Sequence, residues 1–421
     1  MLNAITARIE MFSALRFREF RIFWSGLTAQ IIGQQMFMVT LGWLAFDLSH
    51  SAFTLGLVNM FGAIPRVTLL LFGGVFADRM DQRKLIVGSQ IISAAVMVGL
   101  AAVTLAGQVE VWHLAAASFT LGIVQSIDEP SRTALFPRLL PDRSHIASAV
   151  PLMSMAWSST RIVAPSIAGF VIAAGGAGTS FFVSAVGAGA MVAAVRAVQP
   201  HGEPTRTRGS VVRNLIDGVR YVRHEAVFSK VISLAFVHAT FAMGYVFMLP
   251  VFAADVLMVD ARGLGLLMSS TGVGSLIGLA TFNWLHKRLR PGTVIIFGLT
   301  LFSTSLIFFS ASTWFLLSLA LLAVVGAGHV YYGTSAQVVL QTLVPEELRG
   351  RVMALYSMLW SLMLVSGTLL NMVAAVVGPQ LALAGGCVIV LLYVWLVVAR
   401  SSTIRHLSLA PAAEASGRSP G

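Results

Sequence analysis

The chain has 421 residues, of which 57% are hydrophobic and 11% are charged, whereas a soluble domain has roughly 25% charged residues. Its mean hydropathy is +0.84. This composition excludes a soluble globular protein. Because the apolar character extends over the whole length, it also leaves no room for a large water-soluble domain beside a single membrane anchor.

Long apolar segments with few or no charges recur along the sequence. Because a membrane-spanning helix needs about 20 apolar residues, each such segment predicts one transmembrane helix. The predicted spans, in chain order, cover residues 22–46, 52–77, 85–107, 112–135, 147–174, 179–198, 229–252, 264–285, 292–312, 314–341, 352–376 and 380–399. We therefore predict an all-α membrane protein with twelve transmembrane helices.

The basic residues are distributed unevenly between the two sides of these spans. If the N-terminus is cytoplasmic, all but three of the 28 Lys and Arg residues fall on the cytoplasmic side, the exceptions being Arg66, Arg161 and Arg262. The positive-inside rule then places both termini in the cytoplasm. The net charge of +11 is thus a topology signal, with anionic lipid headgroups as its expected neighbours, and it argues against nucleic-acid binding.

One polar stretch, residues 199–228, divides the chain into two halves. It begins as a Pro- and Gly-rich linker and continues with apolar residues at helical spacing, which predicts an amphipathic helix on the inner membrane surface. The predicted domains are an N-terminal six-helix bundle (1–198), this linker, a C-terminal six-helix bundle (229–400) and a flexible cytoplasmic tail (401–421).

The two halves resemble each other at a shift of about 204 residues. The matching positions include Gly74 with Gly278, Arg83 with Lys287, and Lys84 with Arg288. Two parallel six-helix pseudo-repeats joined by a linker indicate a secondary transporter whose substrate path lies between the halves.

The loop between the second and third predicted spans carries the most specific motif. A Gly, an Asp-Arg pair and two basic residues are supplied by Gly74, Asp78, Arg79, Arg83 and Lys84, the last two one position later than usual. The motif resembles the loop signature of the major facilitator superfamily, which implies that family's fold. Gly74 permits close helix packing and Asp78 can pair with an arginine, so we expect an inner-loop latch. Ordinary enrichment of basic residues in a cytoplasmic loop is the alternative.

Further segments narrow the resemblance to bacterial exporters. The sequence is similar to the branch of enterobactin exporters and macrolide efflux proteins. The similar segments include residues 17–24, 43–52, 128–132 and 161–169. This resemblance implies export across the cytoplasmic (inner) membrane.

A proline in the fifth predicted span resembles a motif of antiporters in the same superfamily. Pro165 is followed by Gly169, although Ala164 stands where Gly is usual. Proline removes one backbone hydrogen bond and favours a kink, which would help the helix to bend during alternating access. A purely structural kink is the alternative.

Two arginines, Arg66 and Arg161, lie within predicted spans. A charge at the centre of a spanning helix costs about 2.5–3.5 kcal/mol, so both should face the bundle interior or a watery cavity. We expect a positively charged substrate cavity for an anionic or electron-rich molecule. The alternative is a structural pairing with nearby acidic residues or helix carbonyls.

Two carboxylates and an arginine lie together near the inner end of the fourth span. Asp128 and Glu129 point about 100° apart on a helix, so one can pair with Arg132 or Arg161 while the other is free to bind a proton. A partly desolvated carboxylate beside a movable arginine can exchange a proton as a cavity opens and closes. Asp128, Glu129 and Arg132 are our predicted proton-coupling gate, and a salt bridge without a protonation cycle is the alternative.

Uncharged polar residues in the spans are weaker cavity candidates. They are Gln34, Asn59, His238 and Tyr332, each of which could equally make a hydrogen bond between helices. We predict no metal site, because His238 and His329 lack ligand companions at useful spacing. The sequence also has no phosphate-binding loop motif and no arrangement of a nucleophile and a base, so we expect no enzymatic activity and no cofactor, with the proton gradient as energy source.

These patterns together predict a monomeric, proton-driven exporter of a small organic molecule such as a siderophore or a drug. An acidic siderophore would suit the two intramembrane arginines, whereas lipophilic drugs more usually require an acidic residue deep in the cavity. Two other functions stay open: a multidrug or macrolide efflux pump of broad specificity, and a sensor on the same fold that transports nothing.

Overall fold

A computed structural model describes residues 13–142, 145–201, 220–223, 225–359, 362–398 and 401. The side chains of residues 70–79, 147, 347, 354 and 397 are not part of this description. Most of the described residues are helical and none of them is in a strand, which confirms the all-α prediction. Most of the predicted amphipathic linker helix and of the C-terminal tail lies outside the described residues.

The helices follow one another with short connections. In chain order the longer α-helices are α1 (Arg18–Ser49), α2 (Ala52–Arg79), α3 (Gln82–Leu105), α4 (Val111–Leu135), α5 (Ile146–Ala197), α6 (Ala226–Phe241), α7 (Ala261–Arg288), α8 (Pro291–Ala311), α9 (Phe315–Leu343), α10 (Glu346–Leu359), α11 (Leu362–Val377) and α12 (Pro379–Tyr393). Shorter pieces are the 3₁₀ turns Ser13–Arg16, Phe136–Leu139 and Met243–Met248, the α turn Leu249–Val251, and the π turns Phe252–Val256 and Val394–Val398.

Ten helical segments of the described residues are long and apolar enough to cross a membrane. The number differs from the predicted twelve for two reasons. Helix α5 contains two predicted spans without a loop between them, and α4 is too polar because Gln125, Asp128 and Glu129 interrupt its C-terminal half. The chain is a multi-pass membrane protein, and the number of twelve spans stays a prediction.

A single glycine separates the two predicted spans within α5. Gly176 has φ 78° and ψ 172°, a backbone conformation that residues with a side chain rarely adopt. The predicted spans 147–174 and 179–198 meet at this residue, so their connection is one turn. Pro165 also lies within α5, where the helical φ and ψ values continue on both sides of it.

The chain divides into two compact units. Unit 1 contains the described residues of Met1–Arg208 and Val246–Gly272, and unit 2 those of Gly209–Tyr245 and Val273–Gly421. The segment Val246–Gly272 packs with the helices of unit 1, although the sequence analysis places it in the second bundle. One contact of this kind is the hydrogen bond from the Ser166 hydroxyl of α5 to Ser269 Oγ of α7, at 2.8 Å.

Helices α2 and α4 of unit 1 approach each other closely because glycines lie in their interface. A Cβ atom on Gly122 would lie 2.4 Å from the Gly62 carbonyl oxygen and 2.8 Å from Pro65 Cγ. Small residues commonly allow such contact between membrane helices. The close approach brings Arg66, one turn after Gly62, beside Glu129, about two turns after Gly122.

Helix α1 packs along the C-terminal part of α5 in the same unit. Phe23 and Leu27 of α1 share an apolar cluster with Met191 and Val195 of α5. The amide side chain of Gln30, which follows on α1, is buried next to this cluster. The core of unit 1 therefore contains a polar side chain of α1, which contacts Arg132 of α4.

Large apolar side chains remain exposed on the outer faces of the described helices. Leu105, Phe308 and Val376, for example, are 65%, 67% and 85% exposed. Many exposed large apolar side chains are unfavourable in water and suit the hydrocarbon of a bilayer.

Candidate functional site

The central feature of unit 1 is an ion pair buried in α4. The Asp128 carboxylate lies 2.8 Å from the Arg132 guanidinium, one turn further along the helix, and the two side chains are only 2% and 8% exposed. The four-residue spacing brings both side chains to one face of α4. A pair of opposite charges is therefore held inside the bundle and away from water.

Helix α1 supplies the polar partners of this pair. Arg132 Nη1 donates a hydrogen bond to Gln30 Oε1 at 3.0 Å, and Gln30 Nε2 donates to Gln34 Oε1 at 3.1 Å. The chain of contacts runs from Asp128 through Arg132 and Gln30 to Gln34, which the sequence analysis assigned to the cavity. The arginine thus has two partners on two different helices.

A small cavity adjoins Asp128. It has about 330 Å³ of unfilled space, including the part open to solvent, and α1, α3, α4 and α5 line it. The polar lining includes Gln30, Gln90, Gln125 and Ser184, and Asp128 is its one formally charged member among the described residues. Polar groups surround the carboxylate, so the site can hold either a charge or a proton.

Glu129, the neighbour of Asp128, lies in a different environment. Its carboxylate is 3.0 Å from Arg66 Nη2 of α2, and the two side chains are 50% and 28% exposed. From the sequence, Glu129 is expected in the proton-coupling gate and Arg66 in the substrate cavity. The structure brings the two together as a partly exposed pair between α2 and α4.

The predicted cavity residue Arg161 lies on α5. Its side chain is exposed and makes no ion pair with the described residues. Further along α5, Gly169 lies against α7, where a Cβ atom on it would be 2.4 Å from the Ala261 carbonyl oxygen. Pro165 and Gly169 therefore flank the contact of α5 with α7, and Arg161 lies one turn before Pro165.

The inner-loop motif is described only in part. Gly74, Asp78 and Arg79 belong to α2, and their side chains lie outside the described residues. Arg83 of α3 donates hydrogen bonds from Nε to the Val195 carbonyl at 3.3 Å and from Nη2 to the Arg196 carbonyl at 3.1 Å. Because cations are favourable at a helix C-terminus, these bonds stabilise the contact of α3 with the end of α5. The Lys84 side chain is exposed.

A second cavity lies in unit 2, with about 310 Å³ of unfilled space including the part open to solvent. Its lining includes His238 of α6, His329 and Tyr332 of α9, and Tyr356 of α10. The imidazole rings of His238 and His329 are stacked with centroids 5.7 Å apart, and the Tyr332 ring meets His238 edge-on at 5.1 Å. The Tyr332 and Tyr356 side chains are hydrogen-bonded to each other.

His238 is the most unusual member of this second cavity. It is 2% exposed, yet neither Nδ1 nor Nε2 has a hydrogen-bond partner among the described residues. Leaving a buried polar group without a partner costs about 1–3 kcal/mol. Asn59 of unit 1, another predicted cavity residue, likewise has a buried Nδ2 atom without a partner in the described part of the chain.

Several lining residues could not be recognised in the sequence, and the most polar are Gln90 and Tyr356. Gln90 lines the unit 1 cavity beside Asp128, and Tyr356 lines the unit 2 cavity. Both are polar residues inside otherwise apolar helices, which is the signal that singled out Gln34 and Asn59. No group of His, Cys, Asp or Glu residues within the described ranges is arranged to hold a metal ion.

Comparison with known families connects this geometry with transport. Residues 9–415 match a family of the major facilitator superfamily that is described as a transmembrane secretion effector. The chain belongs to this family. It is therefore a membrane transporter of the major facilitator type, and the resemblance drawn from the loop motif and the exporter segments is confirmed.

Two curated relatives of this transmembrane secretion effector are efflux proteins. Macrolide efflux protein A from Streptococcus pyogenes is 21% identical over 361 residues, covering 84% of this chain and 88% of that protein. Enterobactin exporter EntS from Escherichia coli O1:K1 / APEC is 23% identical over 312 residues, covering 74% of each chain.

Solved structures share the fold. The nucleoside transporter NupG has a TM-score of 0.71 at 13% identity, over 91% of this chain and 100% of that chain. A bacterial homologue of the human lysosomal transporter Spinster has a TM-score of 0.71 at 14% identity, over 92% of this chain and 96% of that chain. At this low identity the similarity establishes the fold and does not identify the substrate.

Proposed function

We propose that the chain is a proton-driven exporter, an antiporter that moves a small organic molecule such as a siderophore or a drug out of the cytoplasm by alternating access. The observation that carries the proposal is the buried ion pair of Asp128 and Arg132 with its contact to Gln30. Desolvation offsets most of the attraction in a buried pair, so stability alone explains it poorly. A proton-binding step in the transport cycle explains it better.

The proposed cycle uses the Asp128–Arg132 pair as a proton switch. The guanidinium at 2.8 Å favours the charged form of the carboxylate. Movement of Arg132 away from Asp128 leaves a carboxylate without its counter-charge in a desolvated site, and such a group binds a proton. Return of the guanidinium expels that proton. Gln30 keeps a hydrogen bond to Arg132 Nη1 during the movement, so the arginine is never left without a partner.

We assign different roles to the other charged residues. The pair of Glu129 and Arg66 is partly exposed, which suits a gate contact more than a desolvated proton site. Arg161, with Gln34 and Asn59, is proposed to line the substrate cavity. The loop residues Gly74, Asp78 and Arg79 with Arg83 and Lys84 are proposed to form the inner latch, and Pro165 with Gly169 the flexible part of α5.

The proposed arrangement in the membrane follows the charge distribution. Twelve spans in two pseudo-repeats place both termini in the cytoplasm, because all but three of the 28 Lys and Arg residues then lie on that side. The compartment proposed is the bacterial inner membrane, since the efflux relatives come from bacteria. The protein is proposed to act as a monomer among anionic lipids, with protons and the substrate as its partners and without a cofactor.

A broad-specificity pump is the second candidate. It is favoured by the match to Macrolide efflux protein A, which extends over 84% of this chain. A broad pump and a selective siderophore exporter share the proton switch and differ in the molecules that trigger it. Substrate range therefore separates them.

The experiment is the collapse of a pH gradient in inverted membrane vesicles, with siderophores, macrolides and cationic dyes added one at a time. The proposal predicts proton movement with at least one compound in the native protein, and none in Asp128→Asn. A response to a siderophore that is lost in Arg161→Ala supports the selective exporter. A response to macrolides and dyes that is the same in the native protein and in Arg161→Ala supports the broad pump. No flux of any compound, with native expression verified, would favour a non-transporting sensor and contradict the proposal.

A further inference from the structure

The unit 2 cavity has no part in the proton switch proposed above, yet it contains a buried group without a partner. His238 is 2% exposed, lines this cavity, and has two ring nitrogens without hydrogen bonds to the described residues. A neutral imidazole offers one donor and one acceptor. A ligand in the cavity that carries a matching donor or acceptor would satisfy at least one of them.

The lining also restricts the charge of that ligand. Among the described residues that line the cavity there is no Asp, Glu, Lys or Arg. A cationic ligand would find no counter-charge there, and neither would an imidazolium form of His238, so the ring is neutral. An anionic ligand would likewise be desolvated without a fixed positive partner. Charged ligands are therefore disfavoured, and an uncharged polar ligand is favoured.

The rest of the lining fits an aromatic ring. The Tyr332 ring of the lining meets His238 at a centroid distance of 5.1 Å. The buried Phe302 ring lies outside the lining and packs against His238 at 4.7 Å. The side chains of Met243 and Met363 complete the apolar part of the wall. Aromatic edges and thioethers pack favourably against a flat ring. The tyrosine hydroxyls of the wall supply additional hydrogen-bonding groups at one side.

We infer that this pocket binds a neutral, hydroxylated aromatic ring of the exported molecule, with His238 hydrogen-bonded to the ring hydroxyl. The inference rests on the proposed function for the source of the ligand, since the ring belongs to the molecule that is exported. It adds the substrate class and assigns recognition to unit 2. Tyr332 and Tyr356 act as further hydrogen-bonding partners in the same pocket.

A direct binding measurement tests the inference without transport. The full chain is placed in lipid nanodiscs and titrated by ligand-observed NMR with para-cresol, and empty nanodiscs correct for partitioning. Three matched probes replace the hydroxyl group of para-cresol: a methoxy group in the methyl ether removes the donor, a carboxylate in para-toluate brings a negative charge, and an aminomethyl group in para-methylbenzylammonium brings a positive charge.

We expect para-cresol to bind more tightly than all three matched probes. In His238→Phe, which keeps a ring and removes both nitrogens, loss of a hydrogen bond should weaken binding about fivefold. Tyr332→Phe should weaken it less, because Tyr356 remains. Tyr393→Phe is the control in the same unit, since the Tyr393 hydroxyl donates to Ser233 Oγ at 2.6 Å outside the pocket.

Several results would overturn the inference. If the methyl ether binds as tightly as para-cresol, the hydroxyl donor is not recognised. If toluate or the ammonium probe binds as tightly, the pocket does not select for a neutral ligand. Unchanged binding in His238→Phe would show that His238 is not the residue that recognises the hydroxyl. If that variant does not fold, His238→Gln replaces it, because the glutamine side chain also offers a donor and an acceptor. The affinity of His238→Gln for para-cresol should be within about twofold of the native affinity. Loss of binding in this variant would count against the inference.

Failure of the pocket and failure of the proposed function are distinguishable. If para-cresol does not bind but Asp128→Asn abolishes pH-driven export, the pocket is wrong and the exporter stands. If para-cresol binds as expected and no compound is exported, the exporter is wrong, and the pocket stands only as a site for a neutral hydroxylated ring from another source.

Discussion

The Asp128 carboxylate faces Arg132 on its own helix, whereas the carboxylate of the next residue, Glu129, faces Arg66 on α2. The first pair is almost fully buried and the second is half-exposed. Two chemically similar, adjacent residues thus occupy sites of different polarity because a helix turns by about 100° per residue. This difference is the reason for assigning the proton to Asp128 and the gate contact to Glu129.

Removing the arginine of the buried pair should destabilise the protein strongly. Arg132→Met leaves Asp128 buried beside an apolar side chain, and the loss of one partner of a buried pair costs about 3–5 kcal/mol. The double variant Asp128→Asn, Arg132→Met has no charge left to compensate and should recover most of this loss. Thermal unfolding of the detergent-solubilised proteins measures both. A double variant as unstable as Arg132→Met alone would show that the charge pair is not the cause.

The partly exposed pair should matter for transport more than for stability. Arg66→Ala removes an ion pair of a kind that contributes about 0.2–1 kcal/mol, so the unfolding temperature should change little, while export slows because the gate contact is lost. The reversed pair Arg66→Glu, Glu129→Arg restores the contact and should restore export. If export stays at the level of Arg66→Ala in the reversed pair, then Arg66 acts on the substrate and the gate assignment is wrong.

Close packing of α2 on α4 predicts a steric effect at Gly122. In Gly122→Ala the new Cβ atom would meet the Gly62 carbonyl oxygen at 2.4 Å, and such overpacking typically costs about 1–3 kcal/mol. The matched control is Gly99→Ala on α3, where nothing lies within 4 Å of the new atom. It should be neutral or stabilising by up to about 1 kcal/mol. Equal unfolding temperatures for the two variants would contradict the interface as described.

The contact of Arg83 with the end of α5 predicts that the two basic residues of the loop motif differ. Arg83→Ala loses two hydrogen bonds to helix carbonyls and should lower stability by about 1 kcal/mol. Lys84→Ala removes an exposed charge and should be neutral. Chemical unfolding of the two variants in parallel checks this difference. A larger loss in Lys84→Ala than in Arg83→Ala would show that the latch uses the other residue.

The sequence contains the information that places polar positions on the faces of single helices. The spacing of Asp128 and Arg132 places them on one face of a helix, and the family motif identifies the transporter class. It did not allow prediction of contacts between helices. Whether Arg66 meets Glu129 depends on the close approach of α2 and α4, which a helical pattern does not contain.

Two other features could not be predicted from the sequence, for physical reasons. The connection between the fifth and sixth predicted spans consists of one glycine with positive φ, and a pair of glycines in an apolar segment does not reveal which one adopts it. Gln90 and Tyr356 lie in apolar segments where polar residues usually make bonds between helices. Only the packing shows that both line cavities.

The central claim is that Asp128 carries the coupled proton. The most direct test uses purified protein in liposomes. It compares substrate accumulation driven by a pH gradient with substrate exchange at equal concentrations and no gradient. The variants are Asp128→Asn and, as the matched carboxylate control, Glu129→Gln. We predict that Asp128→Asn loses pH-driven accumulation and keeps exchange, while Glu129→Gln keeps both. If Asp128→Asn still accumulates substrate in response to the pH gradient, Asp128 does not carry the proton and the account of the buried pair is wrong.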